Sequence, residues 1–198
     1  MGHESRAAAL TGAVIRLRSV VPGGASALAG GLLGLILRDP VHMAAAAALA
    51  GAMGAIAFSD VKTMRVPDAW IVFAIIIGFA LIALRGYGPQ TALGEAVHAL
   101  LDIGLCAGAF LLLREAFYRL RGVAGLGLGD AKLAAVGSLW LGWQIFAVAV
   151  ALAATVALVW VAALAIARRS WSREQKIPFA AFLAPSIWIC WYGAQITA

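Results

Sequence analysis

Between Ala131 and Ala167 the chain runs for 37 residues with a single charge, Lys132. A membrane-spanning helix uses about 20 mostly apolar residues and rarely more than about 25. The run is too long for one span and too apolar for water. Its natural break is Leu141-Gly142-Trp143-Gln144, which leaves a short helix before it and a long one after. Further apolar runs at 22–37, 41–59, 69–84, 94–113 and 177–196 bring the count to seven hydrophobic segments. Composition points the same way. Hydrophobic residues make up 64% of the 198 and charged residues 12%, against roughly 45–50% and about 25% in soluble domains. A soluble enzyme, a disordered chain and a fibrous protein are excluded. Continuous apolar runs also argue against a β-barrel, whose strands alternate. The expected fold is all-α, a polytopic transmembrane helix bundle. It has a six-helix core over residues 41–198 and one extra hydrophobic segment within a basic N-terminal unit, residues 1–40.

The basic residues orient the bundle. Arg6, Arg16 and Arg18 precede the first segment; Lys62 and Arg65, then Arg114, Arg119, Arg121 and Lys132, then Arg168, Arg169, Arg173 and Lys176 fall on the same side of an alternating chain. Only Arg38 and Arg85 fall on the other, a split of thirteen to two. Lysine and arginine are retained on the cytoplasmic side, so the N-terminus is expected in the cytoplasm. The same bias accounts for the net charge of +6 without a nucleic-acid partner. Basic residues ahead of an apolar stretch also permit a signal peptide, and residues 7–21 also fit an amphipathic stretch on the inner leaflet. Cys106 and Cys190 sit in apolar runs with no CxxC pair and read as packing residues. His3, His42 and His98 are scattered, so no metal site and no cofactor are expected.

Acidic residues are expensive in a bilayer, and each needs a reason. Asp60 ends the 41–59 run and Asp130 begins the 131–167 run. The basic residues alone place both at one membrane face. Like-charge repulsion keeps one of two close carboxylates protonated and leaves the other ionised, giving an acid and a base. Such a pair can activate water against a peptide carbonyl. The surroundings sharpen this reading. Asp60 opens Asp60-Val61-Lys62-Thr63-Met64-Arg65-Val66-Pro67-Asp68, and Asp130 lies in Gly127-Leu128-Gly129-Asp130-Ala131-Lys132-Leu133. The glycines are expected to take φ > 0 and to let an extended chain approach. Lys132 is expected to tune Asp130 or to contact a phosphate or lipid headgroup, and Asp68 to cap the helix that starts at Ala69, with a substrate contact as its alternative.

These motifs resemble the type IV prepilin peptidases, the GxGD class of membrane aspartyl proteases. The aspartate followed by a (I/V)-P-(N/D) triplet is matched by Asp60, Thr63 and Val66-Pro67-Asp68. GxGDxKL is matched by Gly127, Gly129, Asp130, Lys132 and Leu133. A late I-P-F-x-x-F-L-A is matched by Ile177-Pro178-Phe179 and Phe182-Leu183-Ala184. The resemblance covers about residues 41–198. It implies an aspartic-type endopeptidase of the inner membrane that removes the short basic leader from prepilin or pseudopilin precursors at the cytoplasmic face. Asp60 and Asp130 would be catalytic, and substrate precursors and membrane lipids would be partners. Larger members add a cytoplasmic domain with paired CxxC motifs beside an N-methyltransferase activity. This chain has neither and resembles the short, peptidase-only branch associated with Flp/tight-adherence pili, so methylation is not expected. The substrate's identity and the oligomeric state are not readable from the residues.

Other features fit blander roles. Asp102 lies mid-span, with His98 one turn earlier as its expected partner, and the pair reads as packing. Gly30-x-x-x-Gly34 and Gly104-x-x-x-Gly108 fit close helix contact. Trp140, Trp143, Trp188 and Trp191 near span ends read as interfacial anchors. The competing function is a small proton- or cation-coupled transporter using Asp60, Asp102 and Asp130, or an inactive scaffold relative. A transporter is expected to show internal repeats, and none is seen.

Overall fold

The computed structural model describes residues 40–84, 89–122, 125–168 and 177–197. The expected N-terminal unit with its extra hydrophobic segment lies outside the described residues except for Pro40. Five helices follow in order: α1 (Pro40–Thr63), α2 (Asp68–Leu84), α3 (Pro89–Arg121), α4 (Leu128–Arg168) and α5 (Ala180–Thr197). No strand occurs among the described residues. Three of the helices, α1, α3 and α4, are long and apolar enough to cross a membrane, and α2 is apolar but shorter.

The long apolar run folds as α4, and it breaks where the sequence places the break. Gly142 has φ 70° and ψ 164°, a region open essentially only to glycine. The part before the break, residues 128–141, is about 21 Å long at 1.5 Å per residue. The part after it turns back enough for the Phe146 ring to rest on Gly137, where a Cβ would lie 2.4 Å from the ring.

Small residues let the helices approach closely. In α1 the alanine run Ala44–Ala48 is followed by Leu49, Met53 and Ile56, which are fully buried in one core cluster that also holds Leu133 and Val136 of α4 and Leu183, Ile187 and Trp191 of α5. The opposite faces are apolar and exposed, as at Leu100, Leu101, Leu105 and Leu112 in α3 and Val148, Leu158, Val159 and Ile166 in α4. An exposed apolar surface of this extent suits lipid contact.

Four expectations need correction. The helix expected over the apolar run 94–113 does not stop there, and residues 114–121 continue α3. Glu115 and Arg119 pair at i,i+4 with 2.8 Å between charged atoms, and helix-compatible residues run on to Gly122. There φ is 70°, and the Gly122 N–H closes the helix on the Tyr118 carbonyl at 2.8 Å, a glycine C-cap. Gly104 and Gly108 meet nothing within 4 Å where a Cβ would stand, so they mark no helix contact among the described residues. Of the four tryptophans, only Trp143 is exposed. Trp140 donates its indole N–H to the Ala74 carbonyl and Trp188 donates to the Ala46 carbonyl, at 3.0 and 3.2 Å, while Trp191 is buried edge-on to Trp140. These three brace helices to one another. His98 is exposed and does not pair with Asp102. The Asp102 carboxylate instead lies by the break, 3.6 Å from where a Gly142 Cβ would be.

Candidate active site

The end of α1 is shaped by its own polar residues. The Thr63 hydroxyl donates to the Ser59 carbonyl at 2.9 Å, and the Ser59 hydroxyl donates to the Arg65 carbonyl at 3.0 Å. Met64 then adopts φ 54°, and its N–H returns to the Asp60 carbonyl at 2.9 Å. That is the left-handed helix stop, made here without glycine. Val66 and Pro67 lead into α2, where the Pro67 carbonyl accepts the Trp70 N–H at 3.2 Å. The stop turns the chain sharply and leaves the Asp60 side chain pointing inward, only 6% exposed.

Asp60 meets the start of α5. Its Oδ2 accepts the backbone N–H of Ala181 at 3.1 Å. Unpaired amides and the helix dipole make a helix N-terminus a favourable seat for a carboxylate. Ile177-Pro178-Phe179 delivers that N-terminus, with the Phe179 carbonyl accepting the first turn's amides at 3.0 Å.

Asp130 stands in the first turn of α4 and reaches back to the Gly127 N–H, with Oδ2 at 3.1 Å. An acid at the third helical position bonding the capping residue's amide is half of a capping box. Asp130 is 8% exposed, and Asp60 is near enough for its charge to act on it. The two acids, 70 residues apart in the chain, thus share one pocket, each held at a helix N-terminus. An open cavity of about 580 Å³ gives access to both.

The flanking residues sort differently from expectation. Neither Gly127 nor Gly129 has a positive φ; among described glycines only Gly122 and Gly142 do. Their role here is closeness. A Cβ on Gly129 would stand 2.6 Å from the Val66 side chain, and one on Gly127 would stand 3.2 Å from the Asp130 carboxylate. Gly129 therefore seats the start of α4 against the α1–α2 turn. Lys132 does not turn toward Asp130. Its Nζ pairs with Asp68 Oδ1 at 2.5 Å, both side chains being well exposed. Asp68 is thus engaged across to α4, and this pair ties the start of α2 to the start of α4. Pro67 and Thr63 shape the turn between α1 and α2.

Three contributors were missed in the sequence. Ser59 organises the α1 stop. Gly125 lies on the Phe117 ring, where a Cβ would be 2.4 Å away, and the period-two series Gly125, Gly127, Gly129 was the available signal. Arg114 lines the cavity from α3 and is the third. Among the described residues no cluster of three His, Cys, Asp or Glu side chains suited to a metal ion occurs.

Comparison with known proteins follows the same residues. The profile of the type IV leader peptidase family matches residues 47–162, which include both aspartates. The chain belongs to that family. It is 35% identical over 156 residues to the prepilin leader peptidase/N-methyltransferase of Aeromonas salmonicida (strain A449), covering 77% of this chain and 50% of that protein. Likeness to the protein of the same name from Aeromonas hydrophila is 34% over 156 residues, with 77% and 51% covered. For Burkholderia pseudomallei (strain 1026b) it is 34% over 160 residues, with 80% and 48% covered. The chain spans about half the length of these relatives. No solved structure matches it significantly. The family profile stops before α5, whose first turn nevertheless bonds Asp60.

Proposed function

We propose that this chain is a membrane aspartyl endopeptidase that removes the basic leader of prepilin-like precursors. The observation carrying the reading is the burial of Asp60 and Asp130 in one cavity, each at a helix N-terminus. Family membership supports the substrate class, since the relatives are named prepilin leader peptidases. The chain is read as a six-helix inner-membrane bundle, with α4 counted as two helices, the site at the cytoplasmic face and the leader entering from that side.

The chemistry follows from the pair. Two adjacent carboxylates hold one proton between them. The ionised carboxylate takes a proton from water as the water oxygen attacks the scissile carbonyl. The protonated carboxylate gives its proton to the carbonyl oxygen. Collapse of the tetrahedral intermediate breaks the C–N bond: the carboxyl that received the water's proton gives it to the leaving amine, while the other carboxylate takes a proton back from a hydroxyl of the intermediate, which restores the one-proton pair. The pair titrates as a unit, so neither acid is assigned the base role alone. The amides of Ala181 and Gly127 fix the orientation of both carboxylates throughout.

The test is cleavage of a prepilin-type precursor, followed as a mobility shift on a gel in membranes containing the protein. Asp60→Asn and Asp130→Asn each keep shape and insertion but cannot relay the proton. Each is expected to lower the rate by at least about 10³-fold, within the span seen when one member of a catalytic unit is lost. Ready cleavage by either variant would refute the aspartyl reading.

A further inference from the structure

Almost every polar group around the two aspartates already has a partner. Asp60 is bonded to Ala181, Asp130 to Gly127, Lys132 to Asp68, and Ser59 and Thr63 to main-chain carbonyls. Arg65 also lines the cavity, but its side chain is exposed and open to solvent. Arg114 is the exception. It lines the same cavity and is half-buried. Its Nε is fully buried with no hydrogen-bond partner, and none of the ion pairs or hydrogen bonds found among the described residues involves its side chain. Three carboxylates line the cavity with it, and it is bonded to none of them.

A buried donor without an acceptor is costly, and native proteins rarely keep one. Arg114 stands where α3 leaves its apolar stretch and continues toward Arg121, and one turn further on Phe117 supports Gly125 at the cavity's edge. A guanidinium carries five N–H donors, no acceptor and a permanent charge, and its planar fork matches oxygen acceptors best.

We infer that Arg114 is a substrate-binding residue of the site, its guanidinium taking an oxygen of the extended substrate peptide beside the scissile bond. The inference rests on the peptidase reading above and adds a specificity contact to it. The acceptor is a main-chain carbonyl or an acidic side chain of the peptide. The same charge disfavours lysine or arginine nearby, so a basic leader lies on the far side of the aspartates from Arg114.

The probe is a fluorescent peptide with a short basic leader, a glycine and the first residues of an apolar helix that includes acidic residues, assayed in neutral detergent. Arg114→Gln is expected to raise KM roughly tenfold or more, the loss of a hydrogen bond to a charged group, with kcat within about threefold, the pattern of lost ground-state binding. Arg114→Lys is expected to rescue only in part, since lysine lacks the planar fork. Arg119→Gln, one turn away and paired with Glu115, is the control and is expected to match wild type. The two acceptors separate by peptide chemistry. If amides in place of the peptide's acidic side chains abolish the difference between wild type and Arg114→Gln, the acceptor is a side chain. If a single thioamide does so, it is that carbonyl. An unchanged KM, a fall confined to kcat, full rescue by lysine, or an effect seen only with phosphatidylglycerol present would each overturn the inference, the last by assigning Arg114 to a lipid phosphate. Absence of cleavage by wild type would overturn the peptidase reading. Peptide binding to Asp130→Asn, with and without Arg114→Gln, read by fluorescence anisotropy, still decides the role of Arg114, because binding needs no chemistry.

Discussion

Gly127 and Gly129 sit two residues apart and would fail differently if given a side chain. Neither has a positive φ, so alanine brings no backbone strain at either. At Gly129 the new methyl meets Val66 at 2.6 Å, and relieving that overlap means moving the α4 start from the α1–α2 turn. Overpacking of this kind costs about 1–3 kcal/mol, so Gly129→Ala is expected to lower both the melting temperature in detergent and the rate. At Gly127 the one tight contact of the methyl is with the Asp130 carboxylate, at 3.2 Å. A displacement of a few tenths of an ångström suffices there, and since about 1 Å can cost 10²-fold, Gly127→Ala is expected to slow leader removal roughly threefold to tenfold with melting unchanged. Lys132→Ala should do less than either, because its charge is committed to exposed Asp68 and exposed pairs contribute about 0–1 kcal/mol. Initial rates per folded molecule rank the three, and a larger loss for Lys132→Ala would refute the ordering. The aspartates were legible because carboxylates stand out in an apolar chain and because their flanking motifs resemble a family. The glycines' real constraint was not, since close approach by Val66 depends on how two distant turns meet. Arg114 was hidden for a similar reason: among thirteen basic residues on one side, only packing distinguishes the one that turns inward.

The helices owe their placement to a few positions where the backbone does something an ordinary residue resists. Gly142 is the strongest case. Its φ of 70° and ψ of 164° lie where non-glycine residues are strained by about 1–3 kcal/mol, although a Cβ there would find room, its nearest neighbours being 3.6 Å away. Gly142→Ala is therefore expected to destabilise the fold by about that amount through the backbone alone, read as a lower midpoint of unfolding in detergent. If Gly142→Ala unfolds no more easily than wild type, the break is not enforced by conformation. The position of this break was readable from the length of the apolar run. The extent of α3 was not, because Arg114 to Arg121 looks like a basic loop until the Glu115–Arg119 pair and the Gly122 cap are placed on a helix. Trp140, Trp188 and Trp191 read as anchors because a sequence gives their depth along a helix but not whether the ring faces another helix.

For the whole molecule, the thirteen-to-two division of basic residues predicts which way the bundle faces. With Cys106 and Cys190 replaced by serine, Thr63→Cys is expected to react with a membrane-impermeant thiol reagent only from the cytoplasmic side, and Gln90→Cys only from outside. Labelling of residue 63 from outside would invert the orientation and remove the leader's route to the aspartates. The apolar outer faces and all-helical build were legible from composition, while the meeting of α5 with Asp60 was not, since 121 residues separate Ala181 from its acceptor. That bond makes the site a seam between two pieces of chain. A gene cut between α4 and α5 would yield one product with both carboxylates and another with neither. The first alone is expected to be inert, because Asp60 loses the amide that holds it. Produced together, the two are expected to dock through Trp188, Trp191 and Leu183 and recover cleavage, so that activity reports on the meeting of two separately made polypeptides.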